Sequence, residues 1–217
     1  MEMRVGLEDL YNGNTVKAGM KRRVVCRGCA KNPHKPKCQR CSPSCPNEMV
    51  TEPVRVGPGM YMERQREVAS DERCRQEDTE LSVMIEQGMA DGTDVKFPSM
   101  ASQTPKQVPG DVIITLRTRP HNVFTREGND LRASIEISLK EALLGFHHTL
   151  EHLDGHSVDI ERDAGRVTQV GDVLTVQGEG MPHLNFPSER GDLHVVLKIK
   201  MPRTLTKAQQ VAIEGAF

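Results

Sequence analysis

Two short patterns recur in this chain of 217 residues, at two different distances. Around Gly110 the sequence reads PGDVIITLRTRP, and 81 residues later, around Gly191, it reads RGDLHVVLKIKMP. Each is a Gly-Asp turn, a strand-like apolar stretch with basic residues, and a closing proline. LEDLYNG (Leu7 to Gly13) has its counterpart in LKEALLG (Leu139 to Gly145), but 132 residues further on. Two copies of one module satisfy both offsets if the first copy carries an insertion of about 51 residues, and the segment from Cys26 to about Gln76 has that size and position. The expected organisation is therefore two tandem β-sandwich-like domains. The first covers 1–120 and is interrupted by a cysteine-rich insertion over 26–76; the second covers 121–203, and a short C-terminal helix follows over 204–217.

The insertion carries its own constraint. Five of the six cysteines, Cys26, Cys29, Cys38, Cys41 and Cys45, fall within twenty residues, and Cys74 stands apart. Cys26/Cys29 and Cys38/Cys41 have the CxxC spacing. Two such knuckles supply the four thiolates of one closed zinc site, and the same four cysteines can close disulfides instead. A reducing compartment favours the metal and an oxidising one the disulfides. Either way Cys26, Cys29, Cys38 and Cys41 are expected to act together, with Cys74 outside that unit. A thiol oxidoreductase is not expected, because neither CxxC opens a helical pattern that would lower a thiol pKa.

The rest reads mainly as strands. Leu81–Glu86, Val112–Arg117, Leu131–Leu139 and Leu193–Met201 are rich in Val, Ile and Leu and end at Gly, Pro or Asp turns. Ala133, Ile135, Ile137 and Leu139 alternate with Ser134, Glu136 and Ser138, which puts one face on a core and the other in water. Ser138 is the expected N-cap of a short helix stopped by Gly145, and Thr206 the cap of a terminal helix with Leu205, Val211 and Phe217 on one side. Adjacent His147 and His148 in a strand point to opposite faces, which argues against shared metal ligation. The glycines of QGEGMP (Gln177–Pro182) suit a tight β turn better than a phosphate cradle.

Composition narrows the function classes. With 29 basic and 30 acidic residues the net charge is −1, so the chain is no polycation, and five Phe, two Tyr and no Trp offer little for base stacking. One alternative keeps nucleic acid in view: nine basic residues and no acidic one lie between Lys17 and Arg40, around both CxxC pairs, as in a zinc module that binds phosphate backbones. No apolar run approaches a membrane span, and the opening MEMRVGLEDL lacks the regions of a secretory signal. P-loop, GxSxG, HExxH and strand-to-helix GxGxxG motifs do not occur, so an enzyme is not expected.

Taken in order, LEDLYNG, a cysteine-rich insertion, PGDVIITLRTRPH, FTREGNDL, ISLKEALLG, HLDGHSVDI, GEGMP and GDLHVVLKIKMP resemble the C-terminal region of DnaJ-type J-domain co-chaperones over nearly the whole chain. HLDGHSVDIERD and VGPGMYM look most like the endoplasmic-reticulum-lumenal branch. The resemblance implies a non-enzymatic module that binds unfolded or apolar polypeptide clients and delivers them to a DnaK-type heat-shock chaperone. It implies that a client segment lies extended along an edge strand, here about Thr15 to Val24, with apolar side chains entering a pocket at Ala18, Met20, Leu81 and Phe124. It places a homodimer contact after the second domain, at LTKAQQ; neither a nucleic acid nor a membrane is expected as a partner.

The departures from the family pattern are also informative. The usual four CxxCxGxG repeats, which bind two zinc ions, are reduced to two CxxC pairs without the GxG that should follow, so the implied cofactor is one zinc ion, or none if the cysteines form disulfides as in the lumenal branch. No His-Pro-Asp tripeptide occurs, so the element that stimulates the partner's ATPase is not expected here, and the chain reads as a fragment or a truncated relative. The expected compartment is the endoplasmic reticulum lumen, with the cytoplasm second.

Overall fold

A computed structural model describes residues 1–32, 34–42 and 44–215. The chain packs as two compact units. One comprises Met1–Met3, Thr15–Val83 and Gly92–Leu116; the other comprises Arg4–Asn14, Met84–Asp91 and the chain from Arg117 onward.

The repeat is visible as a repeated order of elements. The first copy runs β1 (Glu2–Val5), α1 (Leu7–Asn12) and β2 (Asn14–Val25), then the insertion with β3 (Glu48–Gly57) and β4 (Met60–Val68), and then β5 (Cys74–Ile85), β6 (Asp94–Phe97) and β7 (Val112–Thr118). The second runs β8 (Thr125–Glu127), β9 (Asp130–Ser138), α2 (Leu139–Leu144), β10 (Phe146–Glu151), β11 (Ser157–Arg162) and β12 (Val173–Val176). It continues with β13 (Pro182–His183), β14 (Phe186–Arg190) and β15 (Leu193–Lys200), and α3 (Lys207–Glu214) follows. The Gly-Asp strands are β7 and β15, and each sits in its sheet between the strand that precedes a short helix and a short antiparallel neighbour: β1-β7-β6 in one case, β9-β15-β12 in the other. The strands after the helices pair as β2-β5 and β10-β11. Between β10 and β11 the chain turns over residues 152–156; between β2 and β5 the same connection holds the whole insertion.

Local sequence accounts for the helices. Ser138 accepts a hydrogen bond from the Glu141 amide while Glu141 reaches back to the Ser138 amide, a capping box that starts α2 directly after a strand. Thr206 and Gln209 do the same for α3. Leu139 therefore opens a helix and does not end β9, which corrects the expected strand boundary by one residue. Gly13 (φ 74°) and Gly145 (φ 87°) end α1 and α2 in a backbone region that β-carbons disfavour.

The core of the second unit rests on β9 and β15, which run parallel with Leu131 opposite Leu193 and Ala133 opposite Val195. Leu131, Ile137, Leu193, Val195 and Leu197 are all at most 1% exposed, and each contributes about 1.5–3 kcal/mol by leaving water. The expected alternation holds: Ala133 and Ile137 face inward, Ile135 is half-buried, and Ser134, Glu136 and Ser138 are exposed. In the first unit Leu81 and Val83 of β5 and Ile114 and Leu116 of β7 are buried.

Candidate functional site

In the first unit β2 has one strand neighbour among the described residues, β5, so its other edge carries no strand of theirs. The C-terminal end of that edge is taken by a loop: the Arg23 amide donates to Ser102 Oγ (3.2 Å), the Arg23 carbonyl accepts from the Gln103 amide (2.8 Å), and the Val25 amide donates to Gln103 Oε1 (3.0 Å). Backbone groups alternate along a strand, so Gly19 and Lys21 turn their amides and carbonyls toward the same edge as Arg23. A β-carbon added at Gly19 would meet nothing within 4 Å. Ala18 and Met20 share the opposite face of β2; Ala18 is buried, Met20 half-buried, and Leu81 is buried on β5. The edge expected at Thr15 to Val24 thus coincides with β2.

Phe124, the fourth expected pocket residue, belongs to the second unit. It is 2% exposed. It stacks on His121 at 5.5 Å between centroids and meets His152 at 5.3 Å. In that unit it serves as core beneath the turn that joins β10 to β11.

The cysteines pair completely, as Cys26–Cys41, Cys29–Cys38 and Cys45–Cys74. The four CxxC cysteines form one nested unit, as their spacing predicts, and Cys74 lies outside it. Cys45 and Cys74 are isolated in sequence but close a third bridge across the base of the β3-β4 hairpin, a pairing that no local spacing signals. The Sγ atoms of Cys26, Cys29 and Cys41 lie within 4.8 Å of one another, so the reduced form would present thiolates suited to a metal; in the disulfide form they are not ligands. Above its base the hairpin has no core: Val54, Val56, Met60, Tyr61 and Met62 are all exposed. At its base Glu48 is buried and binds the Ser70 hydroxyl and the Lys106 ammonium (2.9 Å), which together hold its carboxyl below the usual range.

A polar cluster of the second unit lies at the turn His152–His156, which in the sequence stands out only as a family mark. His152 Nε2 lies 3.0 Å from the carbonyl of Glu179, and its ring packs on Tyr11 (4.8 Å) and His156 (4.8 Å). Burial holds the His152 imidazole below the usual histidine pKa. His156 is bonded through Nδ1 to Asp154 and through Nε2 to Glu179 (3.0 Å). Its burial opposes the charged ring, but the two carboxylates outweigh that and raise its pKa, while Asp154, also opposed by burial, ends below its ordinary value through the His156 amide and ring. His147 and His148 do not join this cluster: on opposite faces of β10, they meet Asp159 (3.6 Å) and Glu141 (3.2 Å) respectively.

A duplicated β module with a disulfide-rich insertion in the first copy and an open strand edge beside it defines a narrow class of protein. Residues 1–202 match the family model of the DnaJ C terminal domain, and the chain belongs to that family. It is 36% identical over 220 residues to DnaJ homolog subfamily A member 2 of Homo sapiens, an alignment that covers 92% of this chain and 53% of that protein. It is 36% identical over 218 residues to DnaJ protein ERDJ3B of Oryza sativa subsp. japonica, covering 99% of this chain and 59% of that one. For DnaJ protein ERDJ3B of Arabidopsis thaliana the figures are 34% over 220 residues, with 100% and 60% covered. The chain thus spans little more than half the length of these relatives. Among the described residues, no helix is long and apolar enough to cross a membrane.

Proposed function

We propose that this chain is the client-holding part of a co-chaperone: an extended apolar segment of an unfolded protein adds to the open edge of β2 and is passed to a DnaK-type heat-shock chaperone. Membership of the DnaJ C-terminal family supports the class of function, and the open edge of β2 is the observation that supports the mode. Main-chain bonds from Gly19 and Lys21 give affinity without sequence demand, and side chains on alternate client residues select for apolarity. Ala18, Met20 and Leu81 are the proposed floor of that selection. Gly19 favours close approach of a second backbone. The modules 1–120, with 26–76 inserted, and 121–203 are proposed as the repeated client-binding domains. Three disulfides suit an oxidising compartment, so the proposed location is the endoplasmic reticulum lumen.

The test is a Lys21→Pro variant and a fluorescent apolar peptide. Proline removes the amide that faces the open edge and is tolerated on an edge strand. Losing one main-chain hydrogen bond of about 1–1.5 kcal/mol should weaken peptide binding by about tenfold. Binding to the unmodified chain should be nearly insensitive to salt, whereas a phosphate-binding module loses affinity steeply. Unchanged affinity in a folded Lys21→Pro protein would exclude the β2 edge as the client site.

A further inference from the structure

The turn at His152–His156 holds more chemistry than a turn requires. The side chain of His152 is fully buried, and its Nδ1 has no hydrogen-bond partner among the described residues. A carbonyl oxygen only accepts, so the contact of Nε2 with the Glu179 carbonyl at 3.0 Å puts the ring proton on Nε2 and leaves Nδ1 as a bare lone pair. An unpaired buried acceptor of this kind is costly unless something fills it. It points toward Asp154, whose Oδ1 lies 4.0 Å away. His156 repeats the arrangement: Nε2 faces the Glu179 carboxylate at 3.0 Å while Nδ1 faces Asp154. One residue, Glu179, thus orients both rings, through its backbone oxygen for His152 and its carboxylate for His156.

The three ligand atoms that converge, one from each of His152, Asp154 and His156, lie within 4.8 Å of one another. The turn fixes them. The His152 amide bonds the His156 carbonyl (2.8 Å), the Gly155 amide bonds the His152 carbonyl (3.0 Å), and Gly155 takes φ 87° to close the loop. Two imidazoles with their far nitrogens held by a carbonyl and a carboxylate, plus one carboxylate, is the donor set of a divalent transition-metal site with oriented ligands. Asp154 and His156 are each about one-third exposed, which leaves an approach from solvent and room for water as a further ligand.

We propose that His152, Asp154 and His156 bind a zinc-class divalent cation, with Glu179 orienting both imidazoles. The site lies at the point in the second copy of the repeat where the first copy carries its disulfide-rich insertion. Each copy then has the same connection, between the two strands that follow its helix, held by a crosslink of its own kind.

The experiment uses the full chain with its disulfides intact, shown by the absence of titratable thiol, and zinc chloride as the probe. Calorimetry should give one equivalent bound, with proton release that rises as pH falls through the histidine range. Histidine nitrogen NMR should show zinc at Nδ1 and the proton retained at Nε2 on both rings. Asp154→Asn and His156→Gln, both at solvent-accessible positions, should each weaken binding by at least about tenfold, and Glu179→Gln, which keeps the backbone carbonyl, by about tenfold while leaving the fold intact. The proposal is overturned if zinc binds no tighter than about 1 mM. It is equally overturned if Asp154→Asn and His156→Gln bind as the unmodified chain does, or if an equivalent appears only after reduction, which would assign the metal to the cysteines.

Discussion

At the scale of single residues, two glycines of the GEGMP turn have different reasons to be glycine. Gly178 takes φ 75°, as a tight turn requires. Gly180 is needed for space: a β-carbon there would lie 2.3 Å from the carbonyl carbon of Gly191 and 2.7 Å from the Asn129 carbonyl oxygen. Gly180→Ala should therefore destabilise the protein by about 2 kcal/mol or more, read by urea unfolding, because the blocking atoms are backbone. A second residue-scale expectation concerns Arg162, buried on β11, whose guanidinium bonds Asp172 at 2.6 Å and Thr168 Oγ1 at 3.3 Å. That guanidinium holds the Asp172 pKa below its ordinary value. The stabilisation is then complete above the unfolded carboxyl pKa, about 4, and is lost as pH falls through the lower folded one. Asp172→Asn should lower the melting temperature at pH 7, and the gap from the unmodified chain should narrow on acidification below about pH 4.

At the scale of elements, the β3-β4 hairpin depends on its base. A two-stranded ribbon with exposed faces is marginal in water, so Cys45–Cys74 and the Glu48 contacts are what hold it. Closing a separation of 29 residues contributes about 3.5 kcal/mol in the chain-entropy account. In a Cys45→Ser/Cys74→Ser protein, hydrogen exchange should become fast across Glu48–Val68 and remain slow in β9 and β15. Equal loss of protection in all three would show that the hairpin supports the second unit. The cysteine spacing made Cys26–Cys41 and Cys29–Cys38 legible as one group; Cys45–Cys74 was not, because the residues meet only after a hairpin has returned the chain.

At the scale of the whole molecule, α3 has no buried residue, and Leu205, Val211 and Ile213 remain exposed. Leu205 and Ile213, with Leu143, Leu144, Met201 and Pro202, line a cleft of about 1030 Å³ within the second unit. Phe217, expected on the same side of the helix, lies outside the described residues. We propose that this apolar end is a homodimer contact. Val211→Glu/Ile213→Glu should halve the mass seen by light scattering at micromolar concentration; an unmodified chain that is already monomeric would remove the contact.

What the sequence by itself determined is what depends on short range or on pattern. The capping boxes at Ser138 and Thr206, the alternation along β9, the repeat and the place of the insertion each follow from residues near one another or from a period in the chain, and these carry the family as well. The tertiary structure decided what depends on return paths. Packing places Leu7–Asn12 in the unit that also holds Arg117 onward, with Leu10 and Tyr11 buried and the Tyr11 ring against His152. It likewise decided that Glu179, 23 residues beyond His156, reaches both histidine rings. Periodicity says which face of an element seeks a partner; the partner is chosen by how the whole chain closes, and contacts across such separations leave no local trace.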